Sequence, residues 1–199
     1  MASSNAAGIP TGDLQSFVRF LEERGALIRI SQPVDPCLEV TEIADRFVKA
    51  GENPALLFEN PVPGRWSEAR GLNRLAVDAS GKPVPLLINL FASRQRMAWA
   101  LGCESIEAAV AKLEEPLKMG PPEGLWDKVR MLGKLKGWGE SMPRNVGRGP
   151  CQEIVVQGDE LERRGLMDIM PVLTTWPGDG GPYITTPLVI TRNPENGKR

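Results

Sequence analysis

Four groups of residues in this chain combine side-chain types and spacings that could do chemistry. Gly178-Asp179-Gly180-Gly181 could present backbone N–H groups to a phosphate. It lacks the Gly-x-Gly-x-x-Gly spacing and leads into a strand rather than a helix, so the dinucleotide fingerprint is absent. It reads instead as a tight turn in which Asp179 bonds its own backbone. Glu39, Glu42 and Asp45 lie near one another on a predicted helix and could hold a metal. No further ligands accompany them, and acidic residues in the first turns of a helix favour its dipole in any case. Lys128, Arg130, Lys134, Lys136, Arg144 and Arg148, flanked by Trp126 and Trp138, could contact phosphates or stack on bases. Asp127 and Glu140 interrupt that stretch, which reads as a solvated or interdomain surface and not as a nucleic-acid site. Thr185 and Thr186 alternate along a predicted strand, so only one of them can face a given ligand.

Two residue types narrow the chemistry further. The chain has no histidine, which removes the commonest general acid/base and the commonest metal ligand from this stretch. Cys37, Cys103 and Cys151 are far apart, odd in number and form no Cys-x-x-Cys pair. They read as buried inert thiols in a reducing cytoplasm, not as a disulfide framework or a zinc site. The net charge of −1 points to neither nucleic acid nor an anionic membrane. No apolar run approaches a membrane span, and Met1 to Pro10 has neither the basic start nor the apolar stretch of a signal peptide.

The elements that would position these residues follow from periodicity and caps. Asp13 can cap a helix with Leu14, Phe17, Val18 and Leu21 on one face, ended by Gly25. Leu27 to Ser31 reads as a strand. Asp35-Pro36 reads as the opening of a second helix, with Val40, Ile43, Ala44 and Phe47 buried and Gly51 at its end. Ala55 to Phe58 and Val84 to Leu90 read as interior strands, joined by a stretch from Asn60 to Lys82 expected to contain another short strand. Ser93 and Ser105 each start a helix, the latter stopped by Pro116. This alternation predicts an α/β layer domain over 13–115, behind a flexible tail over 1–12. A linker follows over 116–149, with one short helix near Leu125 to Leu135.

The last fifty residues read as the opening of a β-rich domain over 150–199. Cys151 to Gln157 is a predicted strand, Gly158 to Gly181 a loop-rich crossing, and Tyr183 to Arg192 a final strand. That strand runs into Asn193-Pro194-Glu195-Asn196-Gly197, a turn that returns the chain antiparallel. Only Lys198 and Arg199 come after it, so the return strand is missing and the chain is expected to be the front of a longer protein.

Taken in order, these segments resemble the UbiD-like decarboxylases. The opening Asp13-Leu14…Phe17…Leu21-Glu22…Gly25-Ala26-Leu27 is similar to that family's first helix. Val34-Asp35-Pro36…Glu39-Val40-Thr41-Glu42-Ile43-Ala44-Asp45-Arg46 follows its next block. Pro54 to Asn60 and Pro85 to Phe91 come next. The most specific portions are Gly149-Pro150-Cys151-Gln152-Glu153 and Thr175-Trp176-Pro177-Gly178-Asp179-Gly180-Gly181-Pro182-Tyr183-Ile184-Thr185. The block from Leu87 to Ala98 is most similar to the branch assigned to menaquinone precursors.

The resemblance implies an N-terminal α/β domain followed by the start of a split β-barrel of the flavin-reductase type. It implies a carboxy-lyase that acts on aromatic or α,β-unsaturated acids of the quinone-precursor kind. Prenylated FMN would take up the charge left as CO2 departs, with Mn2+, optionally K+, and a flavin prenyltransferase as cofactor supplier. The family's metal-ligating and acid-base residues would fall beyond Arg199, so this resemblance assigns no catalytic or metal-binding residue to the chain. Thr186 alone is carried over as a cofactor-lining position. The resemblance further implies a cytoplasmic homo-oligomer, with the isolated chain inactive and binding no cofactor tightly. Apart from the resemblance, the residues also allow a non-catalytic assembly module completed by a partner strand.

Overall fold

The computed structural model describes residues 8–10, 12–78, 80–117, 146–149, 152–165, 168–185 and 191–198, with backbone alone at 115–117. The first helix, α1 (Leu14–Glu23), begins where Asp13 accepts the Ser16 N–H at 2.7 Å. It ends at Gly25, whose φ of 64° lets the Ala26 N–H turn back to the Leu21 carbonyl at 2.8 Å. The buried face is Ser16, Phe17, Phe20 and Leu21. Leu14, expected on that face, is exposed because the stripe is rotated toward Phe20.

The sheet has three strands in the order β1 (Leu27–Ile30), β2 (Ala55–Phe58), β3 (Leu86–Ile88). β1 and β2 run parallel, with Leu27 opposite Ala55, and the helix α2 (Glu39–Lys49) makes the crossover. β3 is antiparallel to β2, with Leu57 opposite Leu87. Side chains of β2 alternate between two apolar clusters. Ala55 and Leu57 pack with Ile9, Phe17, Phe20 and Leu21. Leu56 and Phe58 pack with Val34, Val40 and Ala44 of the α2 side. The sheet is thus covered on both faces, as a mixed α/β layer requires. Ile9, inside the stretch expected to be a tail, is buried in the first cluster.

Four local expectations differ in the structure. Helix α2 starts at Glu39, not at Pro36, because Cys37 pairs with Thr174 and the Leu38 N–H donates to the Thr174 carbonyl at 2.9 Å. The stretch from Asn60 to Lys82 holds a short helix, α3 (Arg65–Glu68), and an isolated bridge from Val77 to Pro83 rather than a strand. After α4 (Arg94–Ala100), helix α5 (Ile106–Leu117) runs one residue past Pro116. Residues 152–157 form no strand: Ile154 and Val155 are exposed and have no neighbouring strand to pair with among the described residues. A short helix, α6 (Asp159–Arg164), follows them. The turn at Asn193–Gly197 forms as expected, with the Gly197 N–H on the Asn193 carbonyl at 2.8 Å and the Asn193 N–H on that of Lys198 at 2.9 Å. Half of the preceding strand, 186–190, lies outside the described residues, as does the helix expected near 125–135.

Candidate functional site

The residues between β1 and α2 are organised by one carboxylate. Asp35 is buried, and its Oδ2 accepts the N–H groups of Trp66 at 3.1 Å and Ser67 at 3.0 Å. Its Oδ1 accepts the Cys37 N–H at 2.9 Å and the Ser67 hydroxyl. Asp35 thereby caps the first turn of α3 from a different element, meeting N–H groups that no residue of α3 satisfies. Buried negative charge facing four donors is well compensated.

Onto this platform docks the segment from Asp168 to Tyr183. Arg74 pairs with Asp168 at 2.8 Å. The Thr41 hydroxyl lies 2.8 Å from the Thr175 carbonyl and 2.9 Å from that of Leu38, so its single proton is shared between them. Arg70 reaches the Pro177 carbonyl at 3.3 Å. Within the segment, Asp179 Oδ2 accepts the Trp176 N–H at 2.9 Å, the Thr175 N–H at 3.1 Å and the Thr175 hydroxyl at 2.9 Å. These bonds, the Trp176 N–H foremost, hold the Asp179 carboxyl below its usual range. The Tyr183 hydroxyl meets that of Thr175, and its N–H donates to Leu173 at 3.2 Å.

Between α2, α3 and this segment lies a cleft of about 660 Å3. Glu39, Glu42, Asp45 and Arg46 line the α2 side; Arg65, Trp66 and Arg70 line the α3 side; Thr175, Trp176 and Pro177 close it. Glu39 accepts the Asp35 N–H at 2.8 Å, Glu42 pairs with Arg46 at 2.9 Å, and Asp45 pairs with Lys49. The guanidinium of Arg65 sits 4.6 Å over the Trp66 ring. Trp66 is 40% and Trp176 63% exposed.

A second buried charge fixes the opposite end of the sheet. Arg96 is buried and donates to the carbonyls of Asn53 at 2.5 Å, Asn89 at 2.9 Å and Leu90 at 2.9 Å. Burial pushes its guanidinium down from the ordinary value.

Of the residues singled out in the sequence, Gly178 to Gly181 form the expected turn around Asp179. Glu39, Glu42 and Asp45 share the α2 wall, but each carboxylate already has its own partner, and no three metal-ligating side chains come together among the described residues. Cys37 is buried and Cys103 partly so, while Cys151 lies outside the described residues. Thr185 is exposed; Thr186 lies outside the described residues, as does the basic stretch apart from Arg148. Sequence reasoning missed Arg65, Trp66 and Arg70 as cleft residues and Arg96 as a buried clamp. Only the placing of Trp66 between Arg65 and Glu68, where a core tryptophan is not expected, could have signalled the cleft.

Comparison with known proteins accords with this architecture. Residues 18–114 match the family model of the 3-octaprenyl-4-hydroxybenzoate carboxy-lyase N-terminal domain, and residues 144–199 that of the 3-octaprenyl-4-hydroxybenzoate carboxy-lyase Rift-related domain. An uncharacterized protein of Aquifex aeolicus (strain VF5) is 39% identical over 188 residues, covering 94% of this chain and 34% of the relative. The chain therefore spans about a third of the length of that curated relative. Among the described residues no helix is long and apolar enough to cross a membrane. With both domain families matched in order along one chain, the protein belongs to the UbiD-like decarboxylase family, of which it carries an N-terminal portion.

Proposed function

We propose that this chain is the N-terminal part of a carboxy-lyase that reversibly decarboxylates an aromatic or α,β-unsaturated acid with prenylated FMN. The observation that carries the reading is the ordered match to two carboxy-lyase domains, 18–114 and 144–199. The docking of the segment from Asp168 to Tyr183 onto α2 and α3 supports it. Through Thr41, Arg70 and Arg74 the first domain holds the loop that leads into Thr185 and Thr186. On this reading residues 13–115 are the α/β domain, 116–149 a linker and 150–199 the start of a split β-barrel, with Thr186 beside the flavin.

The described residues do not by themselves fit a divalent metal: the chain has no histidine and its clustered carboxylates are engaged. Mn2+ and K+ therefore belong, in this proposal, to residues of a longer protein, as do the proton donor and the homo-oligomeric contacts. The 199-residue chain alone is proposed to be inactive. The test is CO2 release from aromatic and unsaturated acids, assayed with prenylated FMN on the native polypeptide and on this chain. Release by the native polypeptide and not by the chain supports the proposal. No release by either, with an intact native mass equal to that of this chain, overturns it in favour of an assembly module completed by a partner strand.

A further inference from the structure

We propose that the cleft between α2, α3 and residues 175–177 binds a planar aromatic anion, a ring carrying a carboxylate or a phosphate. The inference rests on which charges in the cleft are already answered. On the α2 wall, Glu39 takes a backbone N–H, Glu42 an arginine and Asp45 a lysine. On the facing wall, Arg65 and Arg70 have no carboxylate at ion-pair distance among the described residues. Arg65 lies over an indole, and Arg70 gives one long bond to a carbonyl. Each guanidinium carries five N–H donors, so most of theirs remain open to a ligand. The Asp179 carboxylate feels the Arg70 charge without forming an ion pair with it, and its hydrogen bonds go to Thr175 and Trp176.

Two indoles stand with these cations, Trp66 at 40% and Trp176 at 63% exposure. An aromatic ring against either indole would cover apolar area that now faces water, while its anionic group reached a guanidinium. The volume of about 660 Å3 is that of a small-molecule site. A polyanion would meet the carboxylates of α2, and an aliphatic anion would gain the charge contact without the stacking. A ring with one anionic group uses both features. Binding at this site needs neither flavin nor metal.

The test follows the indole N–H signals of the 15N-labelled 199-residue chain during titration with benzoate, phenyl phosphate, cyclohexanecarboxylate and inorganic phosphate. Benzoate and phenyl phosphate are expected to move the Trp66 and Trp176 signals saturably. Trp99, packed edge-on against Phe20 in the core, stays in place and reports that the fold is kept. Arg65→Gln and Arg70→Gln are each expected to raise the benzoate Kd roughly tenfold, the loss of about one charge-assisted contact, and Arg70→Lys by less. The ratio of the two aromatic probes tells carboxylate from phosphate. The proposal is overturned by the absence of saturable movement up to roughly 10 mM, where a site of even millimolar affinity would fill. Equal binding of benzoate and cyclohexanecarboxylate, or an unchanged Kd in both Gln variants, overturns it as well.

Discussion

A Cβ on Gly64 would lie 2.9 Å from Oδ2 of Asp35, the oxygen that caps α3. Gly64 has a φ of −117°, which any residue can adopt, so the requirement for glycine comes from the approach of Asp35 and not from the backbone. Gly64→Ala should therefore push the carboxylate off the Trp66 and Ser67 N–H groups. The expected loss is about 1–3 kcal/mol of stability, read as a lower urea midpoint. Gly64→Ala combined with Asp35→Ala should cost less than the sum of the two, since the clash and the capped charge are one interaction. Additive losses would show that the two residues act separately.

Arg96 joins the turn after β3 to the residues before β2 through three carbonyls, with no carboxylate partner among the described residues. Arg96→Met keeps much of the volume but leaves the Asn53, Asn89 and Leu90 carbonyls without their donors. A cost of about 2–4 kcal/mol is expected. Arg96→Lys should recover only part of it, because an ammonium cannot present the planar fork that reaches three separated oxygens. Equal stability of the Lys and Arg proteins in chemical denaturation would refute the geometric account.

The loop around Asp179 should open with acid. Its folded carboxyl is held below the ordinary value of 3.8 by the Trp176 and Thr175 donors. A depressed folded pKa contributes stability that is complete above the unfolded value and lost as pH falls through the folded one. The window is therefore below about pH 4, and nothing is expected to change between pH 6 and 8. Asp13 and Asp78 are depressed for like reasons, by Ser16 and by Ser80 with Lys82, and lose their contributions in the same range. Amide exchange at Thr175 and Trp176, followed from pH 6 to pH 3, should lose protection in the wild type. Asp179→Asn should show weak protection throughout.

How far the sequence could be read depends on the distance between partners. Asp13, Gly25, Gly51 and Ser93 were legible because each cap and its partner lie within one turn of helix. Asp35-Pro36 has the local form of a helix start, and its actual partners, Trp66 and Ser67, are 31 and 32 residues away. Cys151 to Gln157 reads as a strand, but a strand needs a neighbour, and none is at hand for Ile154 and Val155 among the described residues. The same rule holds at the cleft. The Asp179 turn bonds residues three and four positions back and could be foreseen. Arg65 and Arg70 sit in an ordinary charged stretch, and only the fold sets them opposite α2 and beside Trp176.

Thr174 offers the last prediction. It is buried where the Asp168–Tyr183 segment meets Cys37, and its Oγ1 is the buried side-chain oxygen without a hydrogen-bond partner among the described residues. Its backbone does the work of docking, through the Leu38 N–H. Thr174→Val keeps the shape, leaves that backbone bond and removes a hydroxyl whose burial is uncompensated. It should stabilise the protein by about 1 kcal/mol. Thr174→Ser, which keeps the hydroxyl and deletes the methyl, should instead destabilise by a similar amount, about 1 kcal/mol. A cavity of about 20 Å3 adjoins the residue, room enough for one water. If Val proves the less stable variant, the hydroxyl is bonded to a water there, and the docking interface is a wet one.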